Sequence, residues 1–348
     1  MQRFALTDPA AVCNDNSRAV YFYRNCTANA DRKPGDPDFC AKSDEGVAEF
    51  VWFIMFAQSE IRADDESAAL SGLAGGWCSD GASCVERSRL RPNLTSSRGL
   101  PDAFYPNGAL SSFPEQNPNF YKQQSVVVPY CSSDLFLGDA LSAGFQFRGR
   151  RILSAVFRDL VASKGFARAD RVVIIGGPGV IAQADAIRAL LPTSVANVHF
   201  VCDGCLLFDI KPFALATVKR SRLPTLPPAR SIAQGFALWR AELPASSACR
   251  ANTSTAERWS CLFAPRLLQF APAPGVLVQQ PQFDAFQLAA LNAWPPSAAN
   301  RAFILAFARR VRETLANHPR APFVFSAACH EPLAFAGSQA AYFRTDVR

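Results

Sequence analysis

Asp284 and His330 are the residues of this chain best placed to move a proton. Asp284 stands in "PQFDAFQL", just past the apolar run "GVLVQQ" (275–280), and His330 stands in "SAACHEP", just past "PFVFSAA" (322–328). An acid followed in chain order by a histidine, each beyond the carboxyl end of a strand, suits acyl transfer. The acid orients the imidazole, which takes a proton from a nucleophile and returns it to the leaving group. Such a site also needs backbone N–H groups for the oxyanion, and the flexible stretch "AGGWC" (74–78) offers them. Asp284 has a second reading, as the N-cap of a helix "AFQLAALN". The other two histidines are read structurally: His199 as a core residue of the apolar run "VHFVC", and His318 as a partner of a helix C-terminus.

The nucleophile is harder to find. "RVVIIGGPGVIAQADAIRALL" (171–191) reads as a strand, a glycine-rich turn and a helix, where such a nucleophile would sit, yet its turn holds no serine, threonine, cysteine or acid. Gly177 to Ala182 instead fits GxGxxA, and Asp203 ends the next strand about twenty residues on, so a dinucleotide-binding turn is the competing reading. Against it, that motif usually opens its domain, and here some 170 residues come first. Ser132 and Ser133, after "VVVPYC", follow a strand end and are weaker candidates for a nucleophile.

From about residue 120 onward, strand-length apolar runs alternate with helical periodicity. Strands are expected at 125–130, 171–175, 198–202, 275–280 and 322–328, and helices at 151–165, 181–191, 231–243 and 297–317, the last capped by Ser297. In the first of these helices Ile152, Leu153, Val156, Phe157, Leu160 and Val161 form one apolar face. This alternation predicts an α/β fold with a doubly wound, mostly parallel sheet and functional residues at the carboxyl ends of its strands. "RAVYFYR" and "EFVWFIMFA" add two earlier strands, with a polar loop over 26–46 between them and an interruption at 58–74 before "GGWC". No repeat or domain boundary is evident, so one domain over 1–348 is expected.

Composition narrows the setting. The chain has 348 residues, 49% hydrophobic and 19% charged, with a net charge of +7. The basic residues are scattered, "RGRR" (148–151) being the only tight cluster, so nucleic-acid binding is not indicated. Apolar runs are too short for a membrane span, and the start "MQRFALTDPAAVC" lacks the order of a signal peptide. Eleven cysteines and sequons at Asn25, Asn93 and Asn252 nevertheless point to a disulfide-bonded, exported glycoprotein whose leader is missing from this sequence. Three histidines and the absence of paired CxxC knuckles argue against a metal. Spacing suggests local pairs Cys249 with Cys261 and Cys26 with Cys40, with one thiol left over.

Several of these stretches, in order, resemble the pectin acetylesterase and Notum family of secreted carboxylesterases. They are "VCNDNSRAVYFY", "GGWCSDGASCVERS", "GALSSFPEQNPNFYKQQSVVVPYCSSDLFLG" (108–138), "FQFRGRRILSAVFRDLV", "PQFDAFQL" and "SAACHEP". The resemblance implies an α/β-hydrolase-like fold and ester hydrolysis through an acyl-enzyme, without metal or diffusible cofactor. It implies that Gly76 and Trp77 donate N–H groups to the oxyanion, that Asp284 orients His330, and that Cys13 pairs with Cys131 and Cys78 with Cys84. Acylated polysaccharide and lipid-acylated protein are the implied partners, with no nucleic acid, no membrane span and a monomeric chain. One part does not carry over. Where the family has a Gly-x-Ser-Ala-Gly-Gly elbow, only Gly176-Gly177 joins the strand to Pro178, so about four residues including the serine are absent. Insertions near 26–45 and 58–74, His330 directly after Cys329, and an end at "YFRTDVR" where family members continue are further departures. Two origins fit these gaps: a pseudoenzyme that binds an acylated glycan or protein, or splice segments missed and retained in reading the gene.

Overall fold

The strand Val51–Phe56 has the sequence VWFIMF and is buried throughout. Successive side chains of a strand point to opposite faces. Trp52, Ile54 and Phe56 therefore enter one apolar cluster while Val51, Phe53 and Met55 enter another. Such a strand must lie inside a sheet covered on both faces.

The computed structural model describes residues 1–26, 36, 51–57, 75–106, 108–214, 228–272, 275–316, 318 and 323–330. Most of the expected polar loop and the whole 58–74 interruption lie outside these. The strands are β1 (Gln2–Ala5), β2 (Val20–Arg24), β3 (Val51–Phe56), β4 (Gln124–Val128), β5 (Ala140–Ser142), β6 (Phe145–Phe147), β7 (Arg171–Gly176), β8 (Asn197–Asp203), β9 (Val276–Gln279) and β10 (Phe323–Phe325). Eight of them form one sheet in the order β1-β2-β4-β3-β7-β8-β9-β10, and β5 pairs with β6 in a separate hairpin. β2 runs antiparallel to its neighbours β1 and β4, whereas β4, β3, β7, β8, β9 and β10 pair in parallel in that order, which gives the mostly parallel sheet expected.

The helices are α1 (Gly81–Leu90), α2 (Gly149–Ser163), α3 (Pro178–Ala182), α4 (Ala184–Leu190), α5 (Pro228–Leu238), α6 (Ala248–Ala251), α7 (Ala264–Gln269), α8 (Ala285–Ala290) and α9 (Arg301–Ala316). One sheet face packs against Phe157, Val180, Ile187, Leu267, Leu288 and Phe307 from six of these helices. The other is closed by Met1 and by Leu100, Phe104 and Leu110 of the connection from α1 to β4.

Three local expectations change. α2 buries Ile152, Leu153, Val156, Phe157 and Leu160 as read, but Val161 is half-exposed at its edge. The single helix over 181–191 is two, α3 and α4, meeting at Gln183, whose side-chain amide donates to the carbonyls of Phe136 and Gly179. α9 begins at Arg301 rather than after Ser297, because Ser297 and Asn300 exchange side-chain to backbone hydrogen bonds in the preceding turn.

Candidate active site

The carboxyl ends of β3, β7, β8, β9 and β10 lie side by side, and each expected functional segment follows one of them. β7 ends at Gly176 and α3 begins at Pro178, so Gly177 alone joins them, in extended backbone. The joint is tight. A Cβ on Gly176 would stand 2.7 Å from the Val180 side chain, and one on Gly179 would stand 1.9 Å from the Leu135 carbonyl oxygen. From Arg171 to Ala182 no residue carries a hydroxyl or thiol.

The Gly-Gly-Trp loop is held from three sides. Gly76 has φ +61°, a conformation that only glycine adopts without strain. Trp77 donates from its indole N–H to Ser231 at 2.9 Å and meets Phe286 edge-on. Cys78 is bonded to Cys84 on α1, its N–H donates to Ser133, and its carbonyl accepts from the Trp239 indole. One turn beyond Cys84, the buried Arg87 donates from Nε to Ser133 Oγ at 2.8 Å and lies over the Tyr130 ring.

Asp284 and His330 are brought together by backbone pairing. The loops after β9 and β10 run together through Gln280 N–H to Phe325, Gln282 N–H to Ala327, Phe283 N–H to Cys329 and Ala285 N–H to His330, at 3.0 to 3.1 Å. Asp284 is buried and caps α8, accepting from the Gln287 N–H at 3.1 Å, so its N-cap reading is met. Its Oδ2 accepts from the side-chain amides of Gln287 at 2.7 Å and Gln280 at 3.2 Å. Burial pushes its carboxyl above the usual range, while these donors pull it back. His330 is exposed, with its ring against Trp294 at 5.4 Å between centroids.

The other candidates separate from this cluster. His199, read as a core residue, is exposed instead: it lies in the solvent-facing first half of β8, whose buried half begins at Phe200. Ser132 and Ser133 are fully buried with both hydroxyls engaged, Ser132 donating to Asp134 at 2.6 Å and Ser133 to Leu94 at 3.3 Å. They are structural. Asp134 anchors that loop, accepting also from the N–H groups of Phe136, Gly138 and Gly149.

Cys13–Cys131, Cys78–Cys84 and Cys249–Cys261 are bonded as expected. Cys26 is bonded too, and Cys40 lies outside the described residues. Sequence reading left Cys202 and Cys205 unassigned; they form a fourth described disulfide at the end of β8, where Cys202 pairs in register with Gly176. Among the described cysteines Cys329 is the free thiol. Gln280 and Gln287 were also passed over, because glutamine has no chemistry of its own, although their positions four before and three after Asp284 were visible. Among the described residues no cluster of three or more side chains could hold a metal ion, and no helix is long and apolar enough to cross a membrane.

A mostly parallel α/β sheet carrying a glycine loop, a strand–turn–helix joint, an acid and a histidine at successive strand ends has the layout of a carboxylesterase. The family model described as Pectinacetylesterase matches residues 68–307, and the chain belongs to that family. It is 27% identical over 286 residues to palmitoleoyl-protein carboxylesterase NOTUM of Schmidtea mediterranea, covering 79% of this chain and 47% of that protein. It is 29% identical over 272 residues to human NOTUM, covering 74% and 53%. The chain thus spans about half the length of the curated relatives it matches. Its fold matches the solved structure of the Wnt deacylase Notum from Drosophila with a TM-score of 0.77 at 24% identity, over 97% of this chain and 87% of that one.

Proposed function

We propose that this chain is a secreted, single-domain member of the carboxylesterase family that binds an acylated ligand without forming an acyl-enzyme. The observation that carries the reading is the joint at Gly176-Gly177-Pro178, which has no residue able to attack an ester. Around it the parts that would receive an ester remain: N–H groups at Gly76 and Trp77 for the carbonyl oxygen, and Asp284 with His330 for proton transfer. Removing the serine of a triad costs roughly a millionfold in turnover, so hydrolysis is expected near background. The names of the relatives favour a lipid-acylated protein as ligand, with acetylated polysaccharide as the other class the family description suggests. Four described disulfides support an oxidising compartment.

Against the dinucleotide reading of Gly177 to Ala182, Gly179 backs directly onto the Leu135 carbonyl. The test treats the folded chain with a fluorophosphonate probe, and separately titrates it with a palmitoleoylated peptide and with acetylated pectin while following tryptophan fluorescence. No labelled serine and saturable binding of one acylated probe are expected. A labelled serine would sink the non-catalytic reading, and absence of binding by both probes would remove the binder.

A further inference from the structure

Gln280 and Gln287 each use both ends of one amide. Gln280 Oε1 accepts from the Leu206 N–H at 3.0 Å while its Nε2 donates to Asp284 Oδ2 at 3.2 Å. Gln287 Oε1 accepts from the Phe208 N–H at 2.9 Å while its Nε2 donates to the Leu206 carbonyl at 2.8 Å and to Asp284 Oδ2 at 2.7 Å. An amide's oxygen and nitrogen are assigned from their surroundings, and here the surroundings decide. Two backbone donors, Leu206 N–H and Phe208 N–H, can be met only by oxygens, so both nitrogens must face the carboxylate. All three side chains are buried, with exposures of 0% for Gln280, 6% for Gln287 and 1% for Asp284.

Resting on the reading of Asp284 and His330 given above, we infer that Gln280 and Gln287 are positioning residues that clamp Asp284 and leave Oδ1 as the oxygen that receives the imidazole N–H. Oδ2 has its two lone pairs filled by the amides, whereas Oδ1 takes the Gln287 backbone N–H, and the Phe286 backbone N–H also points to the carboxylate. The clamp ties the acid to the segment after β8, which begins at the Cys202–Cys205 disulfide, and so fixes the loops after β8 and β9 as one unit. Burial raises the carboxyl of Asp284, and the donors to its charged form oppose that desolvation.

The chain has three histidines, so their imidazole signals can be followed by NMR in histidine-labelled protein, with His330→Gln assigning the one of interest. Asp284→Asn removes the carboxylate partner of the imidazole, so at fixed pH it should move the His330 ring nitrogen signals away from their wild-type positions. Gln287→Glu, which keeps the shape but turns an oxygen toward Asp284, and Gln280→Met should each move them by at least half as much. A purely structural role would lower the melting temperature and leave the ring signals unmoved. If Asp284→Asn moves the ring signals while both glutamine variants hold the wild-type positions, the clamp is overturned and the acid's role stands. If Asp284→Asn has no effect, the pairing of Asp284 with His330 fails and the clamp's role with it. Should Gln287→Glu not fold, Gln280→Met decides alone, since Gln280 reaches the same oxygen.

Discussion

Gly179→Ala tests the close packing of α3 against the loop that carries Leu135. The added methyl would stand 1.9 Å from the Leu135 carbonyl oxygen, 2.9 Å from its carbon and 3.1 Å from its Cβ. Cβ atoms essentially never come within 3.0 Å of such neighbours, so something must move by about 1.1 Å, the difference between 3.0 and 1.9. The loop has little freedom to give. Leu135 and Phe136 already have φ of +55° and +62°, the Leu135 N–H is held by the Tyr130 hydroxyl at 2.7 Å, and the Phe136 carbonyl by Gln183 at 2.7 Å. Overpacking against a fixed backbone costs about 3 kcal/mol or more, on the order of a hundredfold in the folding equilibrium. The assay is urea unfolding followed by fluorescence, with Gly81→Ala as control. There the nearest atom is the Ala143 Cβ at an ordinary 3.5 Å, and the change lies at the start of α1. The control should stay within about 0.5 kcal/mol or gain slightly. Equal midpoints for Gly179→Ala and the control would refute the packing of α3 on this loop, and with it the argument that the joint has no room.

Three further outcomes are expected. Replacing Cys13 and Cys131 by serine opens a loop of 118 residues and should cost about 5 kcal/mol by chain entropy, read as a fall in denaturation midpoint; a loss under about 1 kcal/mol would contradict it. Burial pushes the Asp134 carboxyl from 3.8 up to about 7 against the pull of Ser132 and three backbone N–H groups. The folded chain then keeps a proton that the unfolded chain releases, so stability should fall as pH rises from about 4 to about 7. Asp134→Asn should flatten that slope, and an unchanged slope would show that Asp134 is ionised throughout. Thiol titration in denaturant without reductant should find one reactive thiol, Cys329, among eleven cysteines; three would mean that one of the pairs is open.

The parallel sheet was legible because its strands are apolar on both faces and separated by helical periodicity, and the placement of Asp284 and His330 just past strand ends was legible because each follows such a run. His199 misled for a related reason. Its neighbours are apolar, but β8 begins beyond the covered part of the sheet, and alternation within a strand does not reveal where cover begins. The break between α3 and α4 could not be read from periodicity, because a polar residue inside a helical pattern looks like an exposed one. Gln183 is in fact 2% exposed and reaches the Phe136 carbonyl, a contact across 47 residues of chain. Cys202 and Cys205 have spacing that serves a metal knuckle, a redox pair or a staple equally well.

The glycines of "VVIIGGPGVIA" are the sharpest case, because two readings explain them by opposite physics. A phosphate loop needs glycines so that backbone can approach a ligand. Here Gly179 is glycine because backbone approaches backbone, the Leu135 carbonyl standing where its Cβ would be. Gly176 is likewise closed off by Val180, one turn into the helix. A tight strand-to-helix joint of this kind is also what a nucleophile elbow needs on its two flanks, so both flanks can persist in a chain that lacks the centre. The supports of the acid are a separate matter. Gln280 and Gln287 bind the segment after β8 as well as Asp284, so they hold the fold together whether or not an ester is ever cleaved. On the non-catalytic reading proposed above, a chain without the nucleophile forgoes roughly a millionfold in turnover while keeping the packing these side chains supply.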